Sequence, residues 1–183
     1  MSVTARLMTL PETEHVIAYF HGASPEHLEM LGVDPTRLPP ADAWRQRLSA
    51  EYNRPLEQRA IILVSWLLNE KFVGFSTADK IVYGERANMH LHVTDAGRRN
   101  QGFGSKCVRE TIKIYFDVLK LKTLFCEPNA FNTAPNRTLQ KAGFRYLKTH
   151  LTVPGPLNYH QAVTRWVFEA DLSVNEPMPG GQL

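Results

Sequence analysis

The sequence holds only two cysteines, Cys107 and Cys126, too few for a disulfide framework and without the spacing of a zinc site. A reducing cytoplasm is the expected home. Long hydrophobic runs are also missing: the longest, Ala60 to Leu68, is interrupted by Ser65 and falls far short of the roughly 20 residues a membrane span needs. The start, Met1 to Arg6, lacks the basic segment and apolar stretch of a signal peptide. Neither export nor a membrane partner is expected. No charge dominates, because 21 Lys and Arg face 18 Asp and Glu for a net of +3. That excludes the dense basic field of a dedicated nucleic-acid binder while leaving room for a small anionic ligand. Internal repeats and low-complexity tracts are absent, so repeat architectures and disorder drop out.

What is present is an ordinary globular composition, 43% hydrophobic and 21% charged over 183 residues. A chain of this length can bury about 70% of its unfolded surface and needs no staples. We expect one domain over residues 1–172 and a mobile tail over 173–183. Residues 1–59 read as α-rich. Pro11-Glu-Thr-Glu14 opens a helix that Gly22 ends, Ser24-Pro25-Glu26 caps a second that Gly32 closes, and Ala41 to about Tyr52 forms a third with Trp44 and Leu48 on one face.

Residues 60–170 carry the sheet. Ile61 to Leu67 reads as a buried strand, Leu68-Asn-Glu70 as a turn and Lys71 to Thr77 as the hairpin partner. Ala87 to Val93 alternates Met89, Leu91 and Val93 with Asn88, His90 and His92, giving one apolar face and one face of imidazoles. Phe103 to Lys120 turns helical, with Val108, Ile112, Tyr115, Phe116 and Leu119 on one stripe. A strand over Leu121 to Cys126, a helix over Thr133 to Ala142 and strands over Phe144 to Val153 and Ala162 to Ala170 complete the pattern, with Pro154 to His160 as a loop.

The sharpest motif is Arg99-Asn100-Gln101-Gly102-Phe103-Gly104, between a strand and the strongest helix. A helix start leaves about four amides without backbone partners and carries roughly half a positive charge, so it suits an anion. Glycine lets the backbone approach a diphosphate, and Arg98, Arg99 and Lys106 supply charge of the right sign. Two familiar phosphate loops fail on spelling. A Walker loop needs Lys and Ser/Thr where Phe103 and Gly104 stand, and the dinucleotide fingerprint needs a glycine where Cys107 stands.

Taken with Asn132 and the Gly143-Phe144 pair that opens the next strand, this order of motifs resembles the GNAT acetyltransferase superfamily, over roughly residues 60–170. The resemblance implies an α/β fold: a twisted, mixed six- to seven-stranded sheet with strands 4 and 5 splayed, flanked by helices. It implies acetyl-CoA as cosubstrate. Leu91, His92 and Val93 would hold the pantetheine arm, Arg98 through Ser105 the pyrophosphate, and Asn132 the same arm, unless Asn132 simply caps its helix. It also implies an amine acceptor, a small molecule or a peptide, and transfer by direct attack on the thioester. A homodimer is compatible with it.

An amine must lose a proton before it attacks, since alkyl amines titrate near 10.4. Glu127 is the leading base: it follows the strand ending at Cys126, and its spacing from Asn132 is similar to that of the base in ribosomal-protein alanine N-acetyltransferases. His90 and His92 are candidates to relay the proton. Many family members place a tyrosine where this chain has Leu139, so Tyr146, Tyr159 and His160 are the candidates to protonate the leaving thiolate. Tyr159 with Tyr19, Phe20 and Trp44 would line the acceptor pocket. No metal is expected, although His90, His92 and Glu127 together have ligating chemistry. Cys126 suggests a covalent acyl route, against the family's habit. The alternative to an enzyme is a catalytically inactive acyl-CoA-binding module of the same fold.

Overall fold

The computed structural model describes residues 2–94 and 102–170. Arg98, Arg99, Asn100, Gln101 and the expected tail over 173–183 lie outside them. In chain order the elements are β1 (Val3–Leu7), α1 (Thr13–His21), α2 (Pro25–Leu31), α3 (Ala41–Tyr52), β2 (Ile62–Leu68), β3 (Lys71–Val82), β4 (Arg86–Val93), α4 (Phe103–Leu119), β5 (Thr123–Cys126), α5 (Thr133–Ala142), β6 (Arg145–Thr152) and β7 (Gln161–Glu169). Local chemistry explains several boundaries. Ser24 accepts from the His27 amide at 3.2 Å and Pro25 occupies the first turn, so α2 begins there. Asn69 and Glu70 both take positive φ, 49° and 65°, the geometry of a tight hairpin between β2 and β3.

One seven-stranded sheet results, in the order β1-β2-β3-β4-β5-β7-β6. Its neighbours run antiparallel, apart from the parallel pair β4–β5. The expectation of an α-rich start needs one correction, because Val3–Leu7 is an edge strand paired with β2. A second concerns β3, which continues past Thr77 to Val82 and thereby brings Asp79 opposite Asn88 of β4.

Alternation along the strands sends apolar residues to both faces, and each face carries its own core. Ile62, Val64 and Trp66 of β2 and Met89 of β4 pack against the stripe of α4, which buries Cys107, Val108, Ile112, Tyr115 and Leu119. The stripe forms because these residues recur at helical spacing. Two buried hydrogen bonds fix it on the sheet: Trp66 Nε1 donates to Thr111 Oγ1 at 2.8 Å, and the Tyr115 hydroxyl donates to Ser76 Oγ at 3.1 Å. On the other face Leu63 and Phe75 meet Val16, Ile17 and Phe20 of α1, Leu28 of α2 and Leu48 of α3. The helices of residues 11–53 therefore roof the face that displays His90 and His92.

Candidate active site

The site begins where two strands part. β4 pairs with β5 only from Arg86 opposite Thr123 to Met89 opposite Cys126. Beyond that point β4 runs on to Val93 alongside β3, while β5 has ended. The wedge so opened leads into a cavity of about 770 Å³. His90 to Val93 form one wall and Cys126 to Asn129 another, while the starts of α4 and α5 meet it from one face of the sheet and α1–α3 with the Pro154–Asn158 loop from the other.

At the α4 end, Gly102 occupies the N-cap position with φ +78°, a conformation in which any Cβ would strain the backbone. Among the described residues no side chain caps α4, and none caps α5, whose N-cap Asn132 instead sends its carboxamide toward the Met30 carbonyl at 3.4 Å. Gly102 to Ser105 and Asn132 to Pro135 all line the cavity. Two helix starts thus open onto one space, their amides uncapped by any side chain among the described residues, and Arg137 and Lys141 of α5 border it too. Such a cradle fits a phosphate-bearing cosubstrate.

At the β5 end stands Glu127, its side chain only 4% exposed. Arg165 Nη1 donates to its Oε1 at 3.3 Å, Asn88 Nδ2 donates to Oε2 at 3.4 Å, and His150 Nε2 lies 3.5 Å from Oε1. Arg165 is itself held over the Phe125 ring at 4.2 Å. A second carboxylate, Asp79, has Oδ2 3.1 Å from His90 Nε2, though the two are not aligned as a hydrogen bond. Asp79 Oδ1 is shut off from solvent and has no hydrogen-bond partner among the described residues.

His92 is a different kind of group. Its ring stacks on Phe75 at 4.8 Å and meets Tyr19 and Phe20 at 5.3 and 5.2 Å. Burial, reinforced by His90 and His27, pushes its pKa down to about 3. The ring is therefore neutral at ordinary pH and a poor proton acceptor. The thiols are equally quiet: burial raises Cys107 to about 12 and moves Cys126 upward as well, so neither supplies a thiolate. Among the described residues, no group of three or more His, Cys, Asp or Glu is placed to hold a metal ion, and no helix is long and apolar enough to cross a membrane.

A family model described as an acetyltransferase (GNAT) domain matches residues 6–145, well over half of the chain. The chain belongs to the GNAT acetyltransferase family. Membership makes this acetyltransferase an acetyl-CoA-dependent N-acetyltransferase. Among characterised relatives it is 28% identical to an aminoglycoside N(6')-acetyltransferase type 1 of Klebsiella pneumoniae, over 94% of this chain and 88% of that protein. The corresponding enzyme of Serratia marcescens is also 28% identical, over 92% of this chain and 86% of its own length. The fold is similar to that of aminoglycoside acetyltransferase AAC(6')-Ib in complex with coenzyme A and kanamycin, with a TM-score of 0.69 at 18% identity over 92% of this chain and 95% of that one. It is similar as well to spermidine N-acetyltransferase from Vibrio cholerae in complex with CoA and spermine, with a TM-score of 0.71 at 12% identity over 91% and 95%.

Within the acetyltransferase, the residues expected from the sequence divide. Glu127, His90 and His92 border one cavity with Leu91, Val93, Gly102, Phe103, Gly104, Ser105 and Asn132. Phe103 does so with its side chain buried in the core, which leaves its backbone at the helix start. Tyr159 is not brought there: its hydroxyl donates to the Glu29 carbonyl at 3.1 Å and its amide to the Gly32 carbonyl at 3.3 Å. Tyr146, 52% exposed, turns outward, and His160 is exposed. Leu139 is buried in the core beneath α5. Asp79, His150 and Arg165 were not singled out from the sequence. Only Asp79 carried a signal, in the Ala78 to Val82 continuation of β3.

Proposed function

We propose that this enzyme acetylates a primary amine that enters from the side of α1–α3 and attacks the thioester directly, with Glu127 receiving the proton. The observation that carries the reading is a single cavity joining the α4 N-terminus to a buried carboxylate at the β5 exit. Acetyl-CoA supplies an activated acyl group there. The amine nitrogen forms the new C–N bond, the C–S bond breaks, and the nitrogen's proton passes to Glu127 directly or through one water. The sulfur leaves as a thiolate whose conjugate acid titrates near 8.5, so it asks for little acid help. Leu139 where relatives of the superfamily carry tyrosine is compatible with that.

The neighbours of Glu127 support this role. Arg165 and His150 fix its orientation, and Asn88 ties it to β4 beside the place where the strands part. His90 lies next to Asp79 and within the cavity, positioned to guide the ammonium before it is deprotonated. Backbone groups of β4 beyond Met89 would receive the pantetheine arm and steady the developing oxyanion.

Glu127→Gln tests the reading. Its kcat should fall by about 10²–10⁴-fold while the Kd for acetyl-CoA is unchanged. Full turnover in that variant would remove Glu127 from the mechanism. The competing reading, an inactive acyl-CoA-binding module, draws on Leu139 and predicts acetyl-CoA binding without acylation of any amine.

A further inference from the structure

We propose that the acceptor is a monoamine whose single ammonium is borne on an aromatic or branched apolar body, and not a polycation. The inference rests on the amine-acetylating reading of this cavity and narrows it to a substrate class. Among the described residues that line the cavity, the only acidic ones are Asp79 and Glu127. Both flank one residue: Asp79 is the register partner of Asn88 across β3–β4, and Glu127 accepts from the Asn88 amide. They therefore mark one place for a positive charge. Glu127 is already shared with Arg165 and His150, whereas Asp79 has, among the described residues, only His90 as an ion-pair neighbour, so its charge is the less neutralised of the two.

On the α1–α3 side the lining includes Tyr19, Phe20, Trp44, Leu48 and Leu63, with the imidazoles of His27 and His92 beside them and no acidic side chain among the described residues. Phe20 packs beside Trp44 at 5.7 Å and edge-on to Tyr19 at 5.1 Å. The Tyr19 hydroxyl is engaged with His27 Nε2 at 2.8 Å, so the rings of Tyr19, Phe20 and Trp44 give this side a mainly apolar character without a counter-charge. A second or third ammonium placed there would leave water without gaining a counter-charge. Attraction to an aromatic face returns only part of that loss. An apolar body gains by the same burial, in proportion to the area it removes from water.

The test measures release of CoA thiol at saturating acetyl-CoA with 2-phenylethylamine, spermidine and kanamycin in parallel. We expect kcat/KM for 2-phenylethylamine to exceed that for either polycation by at least about tenfold. Trp44→Ala should raise KM for 2-phenylethylamine about tenfold and leave KM for acetyl-CoA unchanged. Equal or better turnover of spermidine or kanamycin would overturn the inference and leave the transferase reading standing. An unchanged KM in a folded Trp44→Ala variant would also overturn it. Turnover of none of the three would overturn it too, and the transferase reading would then depend on whether a peptide N-terminus or a lysine is acetylated. The comparison of the three amines uses the intact enzyme, so it holds even if the Trp44 variant does not fold.

Discussion

His92 offers a stability test with a computable size. Its ring sits among Phe75, Phe20 and Tyr19, and burial holds its pKa at about 3 in the native protein. In the unfolded chain a histidine titrates near 6.5. Between those two values the unfolded state binds a proton that the native state refuses, so stability falls as the pH falls through that window and is regained above it. Going from about pH 7.5 to about pH 5.5, this one group should cost the wild type about 1.4 kcal/mol, which is RT ln 10 for an unfolded pKa near 6.5. His92→Phe keeps a ring against Phe75 and removes the titration. Urea unfolding of both proteins at both pH values isolates the difference, because all other ionisable groups are common to the two. The wild type should lose about 1.4 kcal/mol more than the variant over that interval. Equal losses would refute the claim that the native fold keeps this imidazole neutral.

Two further substitutions probe the frame around the cavity. In Gly74→Ala the new methyl would run into the carbonyl of His92, with the Trp66 ring at 3.0 Å and Val93 Cα at 3.2 Å. Backbone cannot yield as a side-chain tip does, so we expect a loss of about 1–3 kcal/mol together with a raised KM for acetyl-CoA; an unchanged Tm would contradict this. Thr111→Val deprives Trp66 Nε1 of its acceptor inside the core and should cost about 1–3 kcal/mol by chemical denaturation, with KM for acetyl-CoA preserved; a neutral effect would show that the indole finds another partner.

Local pattern carried far in this chain. The α4 stripe could be read from helical spacing, the β2–β3 hairpin from a turn between apolar runs, and the two faces of β4 from alternation that the packing reproduces, with Met89 in one core and His92 beside Phe75 of the other. Gly102 stood out in the sequence as a residue without a Cβ in the Arg99–Gly104 motif, and its positive φ at the α4 N-cap is what the structure adds. What escaped was decided by distant partners. Val3–Leu7 is too short and too little buried to announce itself, and it becomes a strand by pairing with β2 some sixty residues later. Arg165 reaches Glu127 across a separation of 38 residues that no local pattern encodes. Tyr159 shows the opposite error: a phenol in a loop suggested acid chemistry, whereas the loop uses it to bind the end of α2 through the Glu29 carbonyl.

The two hydrophobic clusters on opposite faces of the sheet have no buried residue in common. Changes in one should combine almost additively with changes in the other wherever the two sites lie more than about 7–10 Å apart. With the amine entering beside α1–α3 as proposed, mutational drift or a designer could remodel the nine-residue cluster beneath those helices to suit a new amine while the packing beneath α4 is inherited untouched.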